Sequence, residues 1–242
     1  MGHFDDAKKL VLDCKDTLEE IKSTYEESLN ERNIKPKLLI RIKNFMENLR
    51  SALDFTAHGL FDKYGDQTKA GYNIYFPYAW ECLDLKGFNA KKLIEKCIPG
   101  LSSSRPDIAS KIESYQHFSD PNNAWLPKFM DLNKANKHQN LTPQTRKEVK
   151  ELRISSGNVG MKLSGGASIK ISGNAQIRMG NAIIRGNQTI SPESPAQIFG
   201  PAKQEVITWV SFHFTDNKEP VIPLLTNAFN GIEKIVNELS AV

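Results

Sequence analysis

The feature that most constrains this chain is a heptad seam near its beginning. Apolar side chains recur between residues 4 and 25 at alternating steps of three and four, namely Phe4, Ala7, Val11, Cys14, Leu18, Ile21 and Tyr25. This alternation places all of them on one side of an α-helix, which we predict over residues 4–31. An apolar seam must be covered, so it either packs against helices of its own chain or forms a dimerising coiled coil with a second copy.

A second amphipathic helix is predicted from Pro36 to Tyr64. Proline suits the first helical position, and Gly65 is a typical helix stop. Apolar residues share one face of this helix at about 100° per residue: Ile42, Phe45, Met46, Leu49, Leu53, Ala57 and Leu60. Because only residues 33–35 connect the two helices, we expect an antiparallel helical hairpin.

Shorter elements are predicted between this hairpin and residue 142. The aromatic segment 66–87 indicates an irregular connection or a short strand that covers the helices. Helices are predicted over residues 89–97, 106–115 and 124–139. The three consecutive serines at 102–104 predict a loop.

The character of the sequence changes after residue 143. No acidic residue lies between Leu152 and Pro192, and Gly-Asn pairs recur at 157–158, 173–174, 180–181 and 186–187. Short strands separated by turn residues that tolerate positive φ are typical of a β-meander or a small solenoid. The apolar run 206–214 predicts a central strand that is covered on both faces. An amphipathic helix is predicted to close the chain.

These patterns predict an α+β protein with two domains. An N-terminal antiparallel helical bundle is expected over 1–142, and a short-stranded antiparallel β element with the closing helix over 143–242. The three cysteines are widely spaced and form no CxxC motif, which argues against a disulfide framework. The polar start of the chain and the lack of a membrane-spanning apolar run of about 20 residues indicate a cytoplasmic protein with no membrane partner.

One polar ladder on the second helix could carry chemistry. Glu47, Arg50, Asp54 and His58 project within a wedge of about 80° and form i,i+3 and i,i+4 neighbours. A carboxylate can orient a histidine, which could then act as a general base near neutral pH. The alternative is a satisfied polar network that sets the register of packed helices.

The sequence around this ladder resembles a known family. Asn48-Leu49-Arg50-Ser51-Ala52-Leu53-Asp54 resembles the NLRSALDHL core of a large, poorly characterised group of bacterial helical proteins. A later helix of that group ends in N-x-x-D-K-H-R, and residues 133–139 read Asn-Lys-Ala-Asn-Lys-His-Gln. Asn136 stands for the acid and Gln139 for the arginine. The resemblance covers about residues 36–141 and implies a helical fold.

A more distant resemblance is to HEPN domains, many of which are metal-independent ribonucleases. Their motif is an arginine followed, after four to six residues, by a histidine. In this chain seven residues separate Arg50 from His58. This spacing is one residue longer than the motif. The resemblance implies a ribonuclease that uses Arg50 and Asp54 with His58, or with His138 from the later helix.

Other catalytic chemistry finds no support in the sequence. The histidines show neither HExxH nor another paired metal-ligand spacing, so no metal site is predicted. Neither GxGxxG nor GxxxxGK[ST] occurs, and we expect no cofactor.

A basic column in the β segment is the second candidate site. Lys162, Lys170, Arg178 and Arg185 recur at steps of eight, eight and seven, in phase with the Gly-Asn turns. On stacked strands they would line one face and could follow the phosphates of RNA or DNA. No aromatic residues interleave them, which argues against stacking on single-stranded bases. The alternatives are a solvated sheet face or a contact with the acidic first helix of a neighbouring subunit.

Two classes of function remain. The first is a non-enzymatic interaction module, with self-association through the first helix and nucleic-acid binding through the basic face as its expected contacts. The second is the HEPN-like ribonuclease. We favour the first because the spacing from Arg50 to His58 lies outside the ribonuclease motif.

Overall fold

The structure, a computed structural model, describes residues 2–28, 35–69, 73–138, 144–215 and 217–242. It confirms an α+β fold with N-terminal helices, antiparallel sheets in the middle of the chain and a C-terminal helix. The helices are α1 (His3–Ser28), α2 (Pro36–Tyr64), α3 (Leu85–Ala90), α4 (Leu93–Cys97), α5 (Leu101–Ser104), α6 (Pro106–Ser114), α7 (Trp125–His138) and α8 (Val221–Leu239). None of the helices within these ranges is long and apolar enough to cross a membrane.

Helices α1 and α2 pack against each other as an antiparallel pair. Near one end, His3 Nδ1 lies 2.7 Å from Asp62 Oδ2. Near the other, Arg41 Nη1 lies 3.1 Å from Glu20 Oε2. The bounds of α2 agree with the prediction, including Gly65 as its C-terminal cap. The predicted end of the first helix at residues 29–31, and residues 33–34 of the connection, lie outside the described residues.

The heptad seam is covered within one chain. All its members are buried except Phe4, which is half-buried. The cover comes from α2 and from α8, both of which pack against α1. Because burial of each large apolar side chain contributes about 1.5–3 kcal/mol, the seam is a principal source of stability. This packing agrees with the alternative in which the seam packs against helices of its own chain, and self-association through the first helix stays a prediction.

The chain divides into two compact units. The first comprises residues 1–145 and 213–242, and the second comprises residues 146–212. Helix α8 packs against α1, α2 and α7 and so belongs to the first unit. The sequence had grouped this helix with the strands, because proximity along the chain was the only guide.

The smaller helices differ from the sequence predictions in their bounds. The segment 89–97 is covered by two helices, α3 and α4, which break at Lys92, whose φ is 50°. Residues 102–104 belong to α5 instead of forming a loop, because Gly100 at φ 85° begins a new turn directly before Leu101. A 3₁₀ turn at Pro121–Ala124 precedes α7.

The second unit contains three small antiparallel sheets. Its strands are β1 (Gln144–Ser156), β2 (Val159–Ser164), β3 (Ile169–Ile171), β4 (Gln176–Met179), β5 (Ala182–Arg185), β6 (Gln188–Ile190), β7 (Ile198–Phe199) and β8 (Lys203–Phe214). The sheet orders are β2-β1-β8, β3-β6 and β4-β5-β7. Their inward-facing residues share one apolar core: Leu152, Ile154, Leu163, Ile171, Met179, Ile184, Ile190 and Ala196.

Two features of the strands concern the sequence predictions. The prediction that residues 206–214 form a central strand is wrong, because β8 lies at the edge of its sheet and β1 lies in the centre. The Gly-Asn pairs do form turns. Gly157, Gly173 and Gly180 have φ between 55° and 59°, whereas in the last pair Asn187 carries the positive φ of 62°.

Replacement of Gly231 by alanine should destabilise the first unit. A Cβ at this position of α8 would lie 2.1 Å from Trp125 Cζ2. Overpacking typically costs about 1–3 kcal/mol, and the higher helix propensity of alanine offsets about 1 kcal/mol of that cost. Gly231→Ala should therefore lower the free energy of unfolding by up to about 2 kcal/mol in urea denaturation. Asn230→Ala, at the exposed neighbouring position, is the control and should change stability by less than about 0.5 kcal/mol. Equal stability of the two variants would contradict this packing.

Candidate functional site

The Arg50–Asp54 pair is the part of the predicted polar ladder that the structure contains. Arg50 Nε donates to Asp54 Oδ2 at 3.0 Å, as the i,i+4 spacing on α2 predicts. Asp54 Oδ1 accepts a hydrogen bond of 3.0 Å from the backbone N–H of Phe76. The pair therefore ties α2 to the irregular segment 73–84, which agrees with the structural network that the sequence left open.

The ends of the ladder have other partners. Glu47 pairs with Lys43 at 2.9 Å, one turn earlier on α2. The His58 ring lies beside the His3 ring, with centroids 5.0 Å apart. Asp54 accepts hydrogen bonds from Arg50 Nε and from the Phe76 N–H, and no hydrogen bond joins it to His58 among the described residues, so the structure gives no support to Asp54 orienting His58 as a general base.

His138, the alternative imidazole, ends α7, and its side chain lies outside the described residues. The backbone of His138 is eight residues beyond Met130, which contacts Arg50 Nη1. Eight helical residues span about 12 Å. Asn133 Nδ2 donates to the Met46 carbonyl at 2.7 Å, so α7 runs from Arg50 toward the beginning of α2. This direction gives no support to a catalytic pair of Arg50 and His138.

A cavity of about 440 Å³ opens beside the Arg50–Asp54 pair. This Arg50 cavity is lined by Arg50, Asp54, Tyr75, Tyr78, Met130, Asn133 and Lys134. The guanidinium carbon of Arg50 lies 5.6 Å from the centroid of the Tyr78 ring. Burial raises the pKa of the Tyr78 phenol, so its hydroxyl remains protonated and able to donate a hydrogen bond. Neither tyrosine belongs to a periodic pattern in the sequence, because both lie in the irregular segment.

The predicted basic column is distributed over three sheets. Lys162 lies on β2, Lys170 on β3, and Arg178 and Arg185 on the paired strands β4 and β5. All four residues are exposed. The repeat at seven or eight residues therefore reflects the turns between short strands, and it does not correspond to a single continuous ladder.

Lys162 is neutralised by an acid that lies just outside the acid-free segment. Its ammonium is 2.8 Å from Glu151 Oε2 on the neighbouring strand β1, and Arg153 binds the other oxygen of the same carboxylate. Glu151 is only 4% exposed. Hydrogen bonds from Lys162 and Arg153 hold the pKa of the Glu151 carboxyl below its usual range. Lys162 is therefore paired, although no acidic residue lies between Leu152 and Pro192.

Arg178 and Arg185 share one exposed face of the sheet β4-β5-β7. Arg178 lies opposite Ile183, and Arg185 lies opposite Gln176, which places all four on the same side. Phe199 of β7 lies opposite Ile183 and so belongs to this side too. We call these five residues the arginine face.

Phe199 changes the chemistry of that face. Its side chain is 47% exposed, and the Arg185 guanidinium lies 4.4 Å from the ring centroid. Sequence reasoning missed this residue because Phe199 follows Arg185 by fourteen positions and reaches β5 only through the pairing of β7. The expectation that no aromatic side chain accompanies the basic residues was therefore incomplete.

The resemblance at residues 48–54 remains an expectation from sequence. No protein-family model, curated protein or solved structure matches this chain. Within the described residues there is also no group of three or more His, Cys, Asp or Glu side chains that could hold a metal ion.

Asp54→Asn should destabilise the first unit more than a comparable change on the same helix. The asparagine can still accept from the Phe76 N–H, but the charge-assisted bond from Arg50 is lost, which should cost about 1–2 kcal/mol in urea denaturation. Glu47→Gln breaks an i,i+4 pair that is more exposed and should cost less than about 0.5 kcal/mol. Equal losses would mean that Asp54 acts only as a surface charge.

Glu151 should make the stability of the second unit depend on pH at the acidic side. Because its pKa is lower in the folded chain than in the unfolded chain, its stabilising contribution is present above pH 4.3, about the unfolded pKa of glutamate. It is lost as the pH falls through the folded value. Glu151→Gln should make the stability of the second unit depend less on pH in the acidic range. The folded fraction at each pH is measured from the amide resonances of β1 and β2. Glu193→Gln, at an exposed position, should leave that dependence unchanged.

Proposed function

We propose that the protein is a non-enzymatic interaction module that binds single-stranded nucleic acid through the arginine face. The observation that carries the proposal is the exposed Phe199 ring on β7, with the Arg185 guanidinium of the paired strand β5 lying beside it. An aromatic ring with adjacent guanidinium groups offers both a surface for base stacking and charges for phosphates.

The charge distribution of the second unit supports this proposal. Residues 146–212 contain nine Lys and Arg against four Glu. Three of these acids are engaged in ion pairs: Glu148 with Arg146, Glu151 with Arg153 and Lys162, and Glu205 with Lys203. Lys170, Arg178 and Arg185 form no salt bridge with any described residue, so their charge is available to a polyanion.

The geometry of the arginine face favours a single strand over a duplex. A duplex hides its bases in a stack, whereas unstacked bases of a single strand can lie on an aromatic or guanidinium plane. Phosphate contacts alone would serve either form and would carry no sequence information. The exposed Phe199 therefore makes single-stranded RNA or DNA the better partner.

The ribonuclease alternative receives less support. Arg50 is paired with Asp54 and lies in the first unit, while His58 lies beside His3. A catalytic role would require a histidine near Arg50, and among the described residues no histidine lines the Arg50 cavity.

Binding of a fluorescent oligo(dT) or oligo(U) at several salt concentrations tests the proposal. The double variant Arg178→Gln/Arg185→Gln should weaken binding to both oligonucleotides alike. It should also reduce the slope of log affinity against log salt concentration by about 1.4, which is about 0.7 for each lost phosphate contact. Phe199→Ser should weaken binding roughly five-fold or more without changing the slope, because stacking releases no counterions.

The control is Lys147→Gln/Lys150→Gln, which removes the same charge from the same unit and leaves the arginine face intact. It should bind more tightly than the Arg178/Arg185 double variant. Wild-type protein that binds neither oligonucleotide at low salt would overturn the proposal. So would equal affinity of the two double variants, or tighter binding to a duplex of the same length.

A further inference from the structure

We propose that the Arg50 cavity binds a small planar aromatic monocarboxylate. This inference concerns the first unit and does not depend on nucleic-acid binding by the second. The cavity volume of about 440 Å³ lies within the usual range for small-molecule pockets, roughly 300–1,000 Å³.

Arg50 is held in a fixed position at the cavity wall. Its side chain is only 19% exposed, its Nε donates to Asp54, and Nη1 contacts the Met130 sulfur. The Tyr78 ring lies beside the guanidinium. No described residue forms a hydrogen bond with Nη2. A buried guanidinium with an unused donor is prepared for an oxyanion, because little side-chain entropy is lost when the ligand binds.

The charges around the cavity select a singly charged ligand. Two cations, Arg50 and Lys134, and one carboxylate, Asp54, line the cavity. The Lys134 ammonium is exposed and forms no salt bridge within the described part of the chain. Asp131, one turn before Lys134 on α7, interacts electrostatically with Lys134 and Tyr78, so a second carboxylate lies beside the lining. A carboxylate ligand brings one negative charge next to Asp54 and Asp131, whereas a phosphate monoester would bring close to two and be repelled more strongly.

The remaining walls suit a flat ring. Tyr75, which is exposed, and Tyr78, which is half-buried, present aromatic surface, and Met130 adds a polarisable thioether. Aromatic rings pack favourably against such groups in stacked or edge-to-face geometry. An aromatic acid would place its carboxylate at Arg50 and Lys134 and its ring against the tyrosines.

A titration with indole-3-carboxylate and with its neutral carboxamide tests this site. Binding is monitored by the amide chemical shifts of α2 and α7. The acid should bind at millimolar concentration or tighter and shift the resonances around Arg50 and Lys134. The carboxamide has the same shape but no charge, so its affinity should be roughly ten-fold lower.

Substitutions distinguish the effect of a lost charge on binding from an effect on folding. Lys134→Gln should weaken binding of the acid roughly two- to five-fold, and Arg50→Gln roughly ten-fold or more. Lys8→Gln, at an exposed position of α1, should leave the affinity unchanged. If Arg50→Gln does not fold, Lys134→Gln and the carboxamide still decide the question.

Three outcomes would overturn this inference. The first is no binding of indole-3-carboxylate at millimolar concentration. The second is equal affinity for the acid and the carboxamide. The third is a response of Lys134→Gln that matches Lys8→Gln.

Discussion

Burial of the heptad seam of α1 is the constraint on which the first unit depends. One long helix with a continuous apolar side must be covered along its length, and α2 and α8 provide that cover within the same chain. Cys14 in this seam is fully buried, and the burial raises the pKa of its thiol to about 12. With α2 held in this way, its border residues Arg50 and Asp54 meet the segment 73–84 and α7, and the Arg50 cavity forms between them.

The second unit follows a different rule, because two long strands, β1 and β8, and six short ones form three small sheets. Alternation along each strand sends apolar residues to a common core and polar residues to solvent. On β4 and β5 this alternation buries Met179 and Ile184 and exposes Arg178 and Arg185. The same pairing that closes the core brings Phe199 beside Arg185, so the arginine face is a consequence of how the core is built.

Local periodicity is sufficient to predict α1, α2 and the short-stranded character of the β segment, because those patterns depend on neighbours along the chain. The sequence also identified the Arg50–Asp54 pair, which is set by helical spacing. It could not identify the partner of His58 or the contact of Asp54 with Phe76, because both join segments that are distant in sequence. For the same reason it grouped α8 with the strands. The tyrosines of the Arg50 cavity carry no periodic signal at all.

The claim that the seam is satisfied within one chain is tested most directly by sedimentation velocity across micromolar concentrations. A chain whose own helices cover the seam should sediment as a single species of 27.2 kDa, with no dependence on concentration. The account would be contradicted by a species of twice that mass whose fraction grows with concentration and which Val11→Lys converts to a folded monomer. That result would show that a second copy covers the seam of α1.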